Sequence, residues 1–270
     1  MKSAAVLFLV INCLSRCHGR SCFSETKYCV KASEAEMGWT CDLGPQHSGA
    51  TQIDAGQGQV VMRNDKSEAF VLSGSTWTRL GSLPIRHISV GPAGIWGVDN
   101  NVYFHVFSGQ NLNQVDAGGQ DKIAGVTSSS TIHCLSAGAS PLKEGDSLTW
   151  TTFPGALMYI SCSSYGCWGV NSGQQIYFTV NSHIKTDSCQ IRGWTRVEGA
   201  AIMVEVGTDG TVFVVNVHGN LYQRTGISAD VPHGTGWFQI PLSNNIKHAS
   251  YDLGNLWLVI NGGIIAKCSQ

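Results

Sequence analysis

The sequence predicts an all-β fold, a six-bladed β-propeller with four-stranded blades, and three observations lead to it. A hydrophobic residue followed by a polar one recurs six times, as Ile53-Asp54, Ile88-Ser89, Val115-Asp116, Ile160-Ser161, Val204-Glu205 and Ala249-Ser250. In four copies a glycine follows two residues later, at Gly56, Gly91, Gly118 and Gly207. A second short apolar run comes next, clearest in Gly94-Ile95-Trp96-Gly97-Val98-Asp99 and Gly166-Cys167-Trp168-Gly169-Val170-Asn171. The copies lie 27 to 45 residues apart, and strand-and-turn units of that period signify a propeller, one blade to a unit.

Composition agrees. Of 270 residues 43% are hydrophobic and 13% charged, with 32 glycines and 7 prolines, which suits many short strands joined by tight turns and not a disordered chain. A formal net charge of −1 leaves no electrostatic footprint for nucleic acid.

Residues 1–19 read as a secretory signal peptide: Lys2 is the positive start, Ala4 to Ile11 the short apolar core, and Cys17-His18-Gly19 the small-residue cleavage region. Residues 20–38 fit no unit and form an N-terminal extension; the propeller is expected over 39–270. Each unit is expected to open with an edge strand marked by Trp, at Trp39, Trp77, Trp150, Trp194 and Trp237. An inner strand with the hydrophobic–polar pair follows, then a Gly turn, a second strand and a third. The third strands are Val102-Tyr103-Phe104, Thr131 to Leu135, Ile176-Tyr177-Phe178, Leu221-Tyr222 and Ile264-Ile265. The third unit has no Trp between Phe107 and Val115, so its edge strand should be short. The chain starts with an edge strand and ends with a third strand, so the ring closes if 39–43 pairs with 263–268.

Export and an even count of cysteines point to disulfides. Beyond residue 19 there are eight cysteines, hence four bridges. Cys162 and Cys167 flank one tight turn, and Cys41 and Cys268 meet at closure. Cys22–Cys29 would pin the extension, and Cys134–Cys189 follows by exclusion and blade proximity.

The polar member of each pair should face the central channel while its apolar neighbours pack between blades, a structural role for Asp54, Asp116 and Glu205. The Trp residues read as inter-blade core, with the indole N–H finding a backbone acceptor. A propeller glycosidase would need two carboxyl groups at a set separation, and the channel acids Asp54, Asp116 and Glu205 could in principle supply such a pair, which is a lesser alternative. The sialidase Asp box, an arginine cluster and a nucleophile elbow are all missing, so no enzyme is expected and no catalytic residue assigned. The nine histidines are scattered, which disfavours a zinc site. No cofactor is expected, and Ca²⁺ binding is left open.

Binding a neutral sugar needs less: amide and carboxylate hydrogen bonds plus an aromatic face in a preformed pocket. Second strands end in Asn64, Asp99, Asn171 and Asn216, and the turns beyond carry Asn101, Gln174, His218 and Asn220. Asn and Asp also favour turns for backbone reasons alone. Tyr222 adds a ring and Arg224 a fork of donors. The candidate binding set is therefore Asp99, Asn101, Asn171, Gln174, Asn216, Asn220, Tyr222 and Arg224.

Several phrases resemble tectonin repeats: Gln52-Ile53-Asp54-Ala55-Gly56, His87 to Gly94, Gln114 to Gly119 and Gly219 to Gly226. Over 39–270 the pattern is similar to the fish egg lectins and the tachylectin-1-like lectins. That resemblance implies a secreted propeller that binds N-acetylated sugars and bacterial surface glycans such as lipopolysaccharide, in egg or innate defence. The short third unit and the extension depart from the pattern. A non-catalytic scaffold for a protein partner is the alternative, and self-association is left open.

Overall fold

In the computed structural model the described residues are 38–99, 112–119, 122–136, 150–180, 184–185 and 190–270. Strand β1 (Thr40–Leu43) stands apart from its sequence neighbours. The first sheet runs β2 (Ala50–Gly56), β3 (Gln59–Asn64), β4 (Ala69–Ser73) and β5 (Thr76–Arg79). The next pairs only β6 (Ile85–Gly91) with β7 (Gly94–Asp99). A four-stranded sheet follows, of β8 (Leu112–Asp116), β9 (Lys122–Thr127), β10 (Ile132–Ser136) and β11 (Trp150–Phe153). Then come β12 (Tyr159–Ser163), β13 (Gly166–Val170) and β14 (Gln175–Val180). A small ladder of β15 (Ile184–Lys185) and β16 (Gln190–Ile191) precedes their fourth strand, β17 (Thr195–Ala200). The next four-strand run, β18 (Met203–Val206), β19 (Val212–Val215), β20 (Leu221–Thr225) and β21 (Gly236–Ile240), leads to β22 (Ile246–Asp252), β23 (Asn255–Ile260) and β24 (Ile264–Ser269). β1 completes that last sheet against β24, with Cys41 opposite Cys268.

The molecule is an all-β propeller. Neighbouring inner strands pack in the order β2, β6, β8, β12, β18, β22 and back to β2. Two expectations need correction. Five sheets have four strands, not six; the position between β2 and β8 holds the two-stranded sheet β6–β7, and its expected third strand, Val102-Tyr103-Phe104, lies outside the described residues. The Trp-marked strands do not open sheets. β5 and β21 close the sheets they follow, because an edge strand pairs with the third strand just before it in sequence.

The recurring hydrophobic–polar–x–Gly phrase has a physical cause. An inner strand has no sheet partner on its channel side, so its backbone groups there need other acceptors. The polar side chain of the preceding sheet supplies one. Val90 N donates to Asp54 Oδ2 (2.6 Å), Ala117 N to Ser89 Oγ (2.9 Å), and Cys162 N to Asp116 Oδ1 (3.0 Å). Val206 N donates to Ser161 Oγ (3.0 Å), and Ala55 N closes the ring onto Ser250 Oγ (2.8 Å). The glycine allows the close approach this requires. A Cβ on Gly56, Gly91 or Gly118 would sit 2.1–2.3 Å from the carbonyl oxygen of the next inner strand. Any side chain there would push the sheets apart.

The outer rim is stapled by tryptophan. Trp77 Nε1 donates to Pro45 O, Trp194 Nε1 to Pro154 O and Trp237 Nε1 to Glu198 O, each at 2.8 Å and each onto the preceding sheet. Trp39 Nε1 reaches Gln223 Oε1 instead (3.0 Å). Cys41–Cys268 locks β1 onto β24, and Cys162–Cys167 spans the β12–β13 turn. Cys134 is also disulfide-bonded, while Cys189, Cys22 and Cys29 lie outside the described residues.

Candidate functional site

Asp54, Asp116 and Glu205 come from alternate inner strands and alternate around the channel with Ser89, Ser161 and Ser250. All six are buried. Ser250 Oγ lies 3.2 Å from Asp54 Oδ1 and 2.8 Å from Glu205 Oε1, while it accepts Ala55 N. One hydroxyl has one proton and cannot donate to both carboxylates at once, so the pair competes for it. Burial, then the repulsion of Asp54 and Asp116, raises Glu205 well above the carboxylate range. Burial also raises Asp54, and burial followed by repulsion from Asp54 pushes Asp116 up to about 8. The cavity these acids border is about 10 Å³, room for no more than one water. A sugar cannot enter it, so the carboxyl groups act as internal donors and acceptors of the ring.

Two residues earlier on the inner strands lies a second polar layer. Gln52 and Gln114 use their amides as short lengths of strand. Gln52 accepts Ile88 N (3.0 Å), and Gln114 accepts Ile160 N (3.1 Å) and donates to Ile160 O (2.7 Å). Tyr159 Oη and His248 Nε2 are 2.9 Å apart. Burial keeps both His87 and His248 neutral by lowering their pKa values, His248 to about 4.

The sequence-predicted binding residues lie at the other end of the strands, where second strands turn into third strands, and most serve the turns. Asn216 Oδ1 accepts the backbone N–H groups of His218 and Asn220, both at 3.0 Å. Asn171 Oδ1 accepts Gln175 N (2.9 Å), and Asn64 Oδ1 accepts Lys66 N and Glu68 N in the same way. Gln174 occupies the left-handed position of its turn, with φ of 61°. Tyr222 is half-buried against the core shared by its sheet and the preceding one. Asp99 ends β7 opposite Ile85, and Asn101 lies outside the described residues.

Arg224 is the largest departure from expectation. It is 4% exposed. Its Nε donates to His233 O (2.6 Å), its Nη2 to Gly234 O (3.1 Å), and the fork engages both carboxylate oxygens of Glu198. The guanidinium also stacks over Trp237 at 4.8 Å. Its donors are used inside the protein, pinning the 226–235 loop, and no fork is left for a ligand.

At the opposite end, between the closing sheet and the first sheet, is a groove of about 220 Å³ lined among others by Gln59, Val60, Leu72, Asp252, Leu253, Asn255, Trp257 and Lys267. Asp252 fixes its floor: Oδ2 accepts Gly58 N (2.7 Å) and Oδ1 accepts Thr208 Oγ1 (2.6 Å), tying three successive sheets together. Asn255 Nδ2 donates to Leu253 O (3.0 Å). Lys267 Nζ rests 5.3 Å from the centre of the Trp257 ring.

A family model for the Tectonin domain matches residues 49–261. The chain belongs to the tectonin family. It is 44% identical over 225 residues to the fish-egg lectin of Cyprinus carpio, across 80% of this chain and 94% of that protein. Among solved structures, virginiamycin B lyase from Staphylococcus aureus superposes with a TM-score of 0.56 at 10% identity, over 86% of this chain and 99% of that one. The β-propeller domain of Swd1 from Myceliophteria thermophila gives 0.51 at 8% identity, over 83% and 97%. At these identities the likeness is of fold alone.

The groove of this tectonin was missed by sequence reasoning, yet one signal was present. Leu253-Gly254 is a two-residue hairpin turn with φ of 47° and 79°. Both positions of such a turn need positive φ, which favours Asn, Asp or Gly and strongly disfavours a bulky apolar residue. A leucine between two strands at that place marks a side chain kept for something other than the turn.

Proposed function

We propose that this tectonin is a secreted lectin that binds N-acetylglucosamine-type sugars and bacterial surface glycans such as lipopolysaccharide, reversibly and without turnover. The observation that carries the reading is the 44% identity to a fish-egg lectin across nearly all of that protein. The disulfides suit an exported protein. The channel acids are poorly placed for hydrolysis, because they border a space no larger than a water. We read the ring as six-bladed, on the six inner strands that follow one another around the channel.

The test is retention of the purified full chain on immobilised chitooligosaccharide and lipopolysaccharide, with elution by free N-acetylglucosamine, beside incubation with aryl glycosides. Retention without released product is expected. Steady product release that stops on Asp116→Asn would move the protein to the glycosidases. Failure to bind any sugar surface would leave a scaffold for protein partners.

A further inference from the structure

The groove between the closing sheet and the first sheet has the chemistry of one amphipathic ring with a negative substituent. Leu253 is 67% exposed at its lip, and its Cδ1 points toward the first sheet closely enough that a Cβ added at Gly58 would meet it at 3.7 Å. Together with Val60 and Leu72 it offers an apolar wall, and Gln59 and Asn255 bring amide groups to the same space. A pyranose has this division, with C–H groups on one face and hydroxyls at its edge. The volume, about 220 Å³, is below the ~300–1,000 Å³ usual for drug-sized ligands and suits a single sugar.

The charges are lopsided. The buried carboxylate of the groove, Asp252, already accepts Gly58 N and Thr208 Oγ1. The lysine has no such partner: among the described residues no carboxylate lies within ion-pair distance of Lys267, and its cross-strand neighbour Asp42 does not pair with it. Its ammonium is instead laid over Trp257, which orients it while leaving its donors free. We infer that this groove binds a terminal sugar carrying an anionic group, phosphate or carboxylate, with the ring against Leu253 and the anion at Lys267. The inference rests on the lectin reading and names a site and a ligand class for it.

Leucine at a positive φ gives a test that separates binding from folding. Leu253→Asn suits the turn better, so the variant should melt no lower than the parent, while it loses the apolar lip. Calorimetry on the full chain would use N-acetylglucosamine, N-acetylglucosamine 6-phosphate and glucuronic acid as monovalent probes. The charged sugars should bind about tenfold more tightly than the neutral one at low salt, the gain expected of one charge-assisted hydrogen bond at an exposed site. Lys267→Gln should remove that preference, and Leu253→Asn should weaken all three. If the phosphate alone gains, the anion is a phosphate; if both gain, the site reads charge. Equal affinity for neutral and charged sugars overturns the proposal. So do sugar affinities that neither variant changes, in which case the lectin reading survives and the groove is not its site. No binding by any probe, or by chitooligosaccharide, overturns both.

Discussion

Replacing both Cys41 and Cys268 by alanine tests how the ring is held shut. The bridge joins residues 227 apart in sequence, whereas Cys162–Cys167 joins residues 5 apart. If a disulfide acts by restricting the unfolded chain, the loop-closure relation gives about 5 kcal/mol for the long bridge and about 2 kcal/mol for the short one. For a chain of this size each kcal/mol moves the melting temperature by about 2–4 °C. Cys41→Ala/Cys268→Ala should therefore lower it by about 10–20 °C, and Cys162→Ala/Cys167→Ala by about 4–8 °C. The comparison is clean because all four cysteines are buried, between 1% and 8% exposed, so the loss of packing is similar in both variants. Scanning calorimetry of the two double variants under non-reducing conditions reads the difference. Equal shifts, or a larger shift for the short bridge, would refute the entropic reasoning. Closure would then belong to the β1–β24 ladder, which pairs Thr40 to Leu43 with Ala266 to Ser269.

Three further outcomes follow from the same geometry. Asp116, Asp54 and Glu205 all have raised pKa values in the fold, so their contribution to stability is full below the ordinary carboxylate range near 4 and is lost as pH rises, for Asp116 through about 8. Buried His87 and His248, whose pKa values are lowered, work the other way up to about pH 6.5, so the clean window lies above it: the free energy of urea unfolding should fall by about 2 kcal/mol between about pH 6.5 and pH 8, at ~1.4 kcal/mol for each pH unit, and Asp116→Asn should flatten the profile; stability that rises with pH in that window contradicts the channel assignment. Arg224→Lys should cost about 2–3 kcal/mol in chemical denaturation, since an ammonium cannot match the fork onto Glu198, His233 and Gly234, and should leave free-sugar affinity unchanged. Lower affinity with an intact fold would return Arg224 to the ligand. Asn216→Ala should cost about 1 kcal/mol, the worth of a side-chain cap on two backbone N–H groups, again without a change in monovalent sugar affinity.

The inter-sheet contacts were legible in the sequence because they repeat. An acceptor such as Asp54 or Ser89 stands at the same register of successive inner strands to reach the next, and Gly56, Gly91 and Gly118 follow where a Cβ would meet the next strand's carbonyl oxygen. A constraint imposed several times leaves a periodic trace; one imposed once does not. The same reasoning explains the asparagines: Asn64, Asn171 and Asn216 recur at the ends of second strands, where each Oδ1 caps backbone N–H groups of the turn beyond. Arg224 was unreadable for the opposite reason: its partners Glu198, His233 and Gly234 are gathered by the turn after β20 and the rim of the preceding sheet, and no spacing announces them.

A binding groove between sheets is built from singular residues on a repeated frame, so its trace in the sequence should be a break in the frame. In the inner turns, Gln57-Gly58 and Leu253-Gly254 have the same backbone, yet only the second places a large apolar side chain in the left-handed region. That choice works against the turn by on the order of 1–2 kcal/mol, and the side chain recovers little of it, since Leu253 is 67% exposed. Folding gives no reason for a leucine there, whereas a ligand that covers the lip would. Lys267 breaks the frame in the same sense: a cation on a core tryptophan, beside a carboxylate with which it does not pair, is placed for a charge that comes from outside the chain.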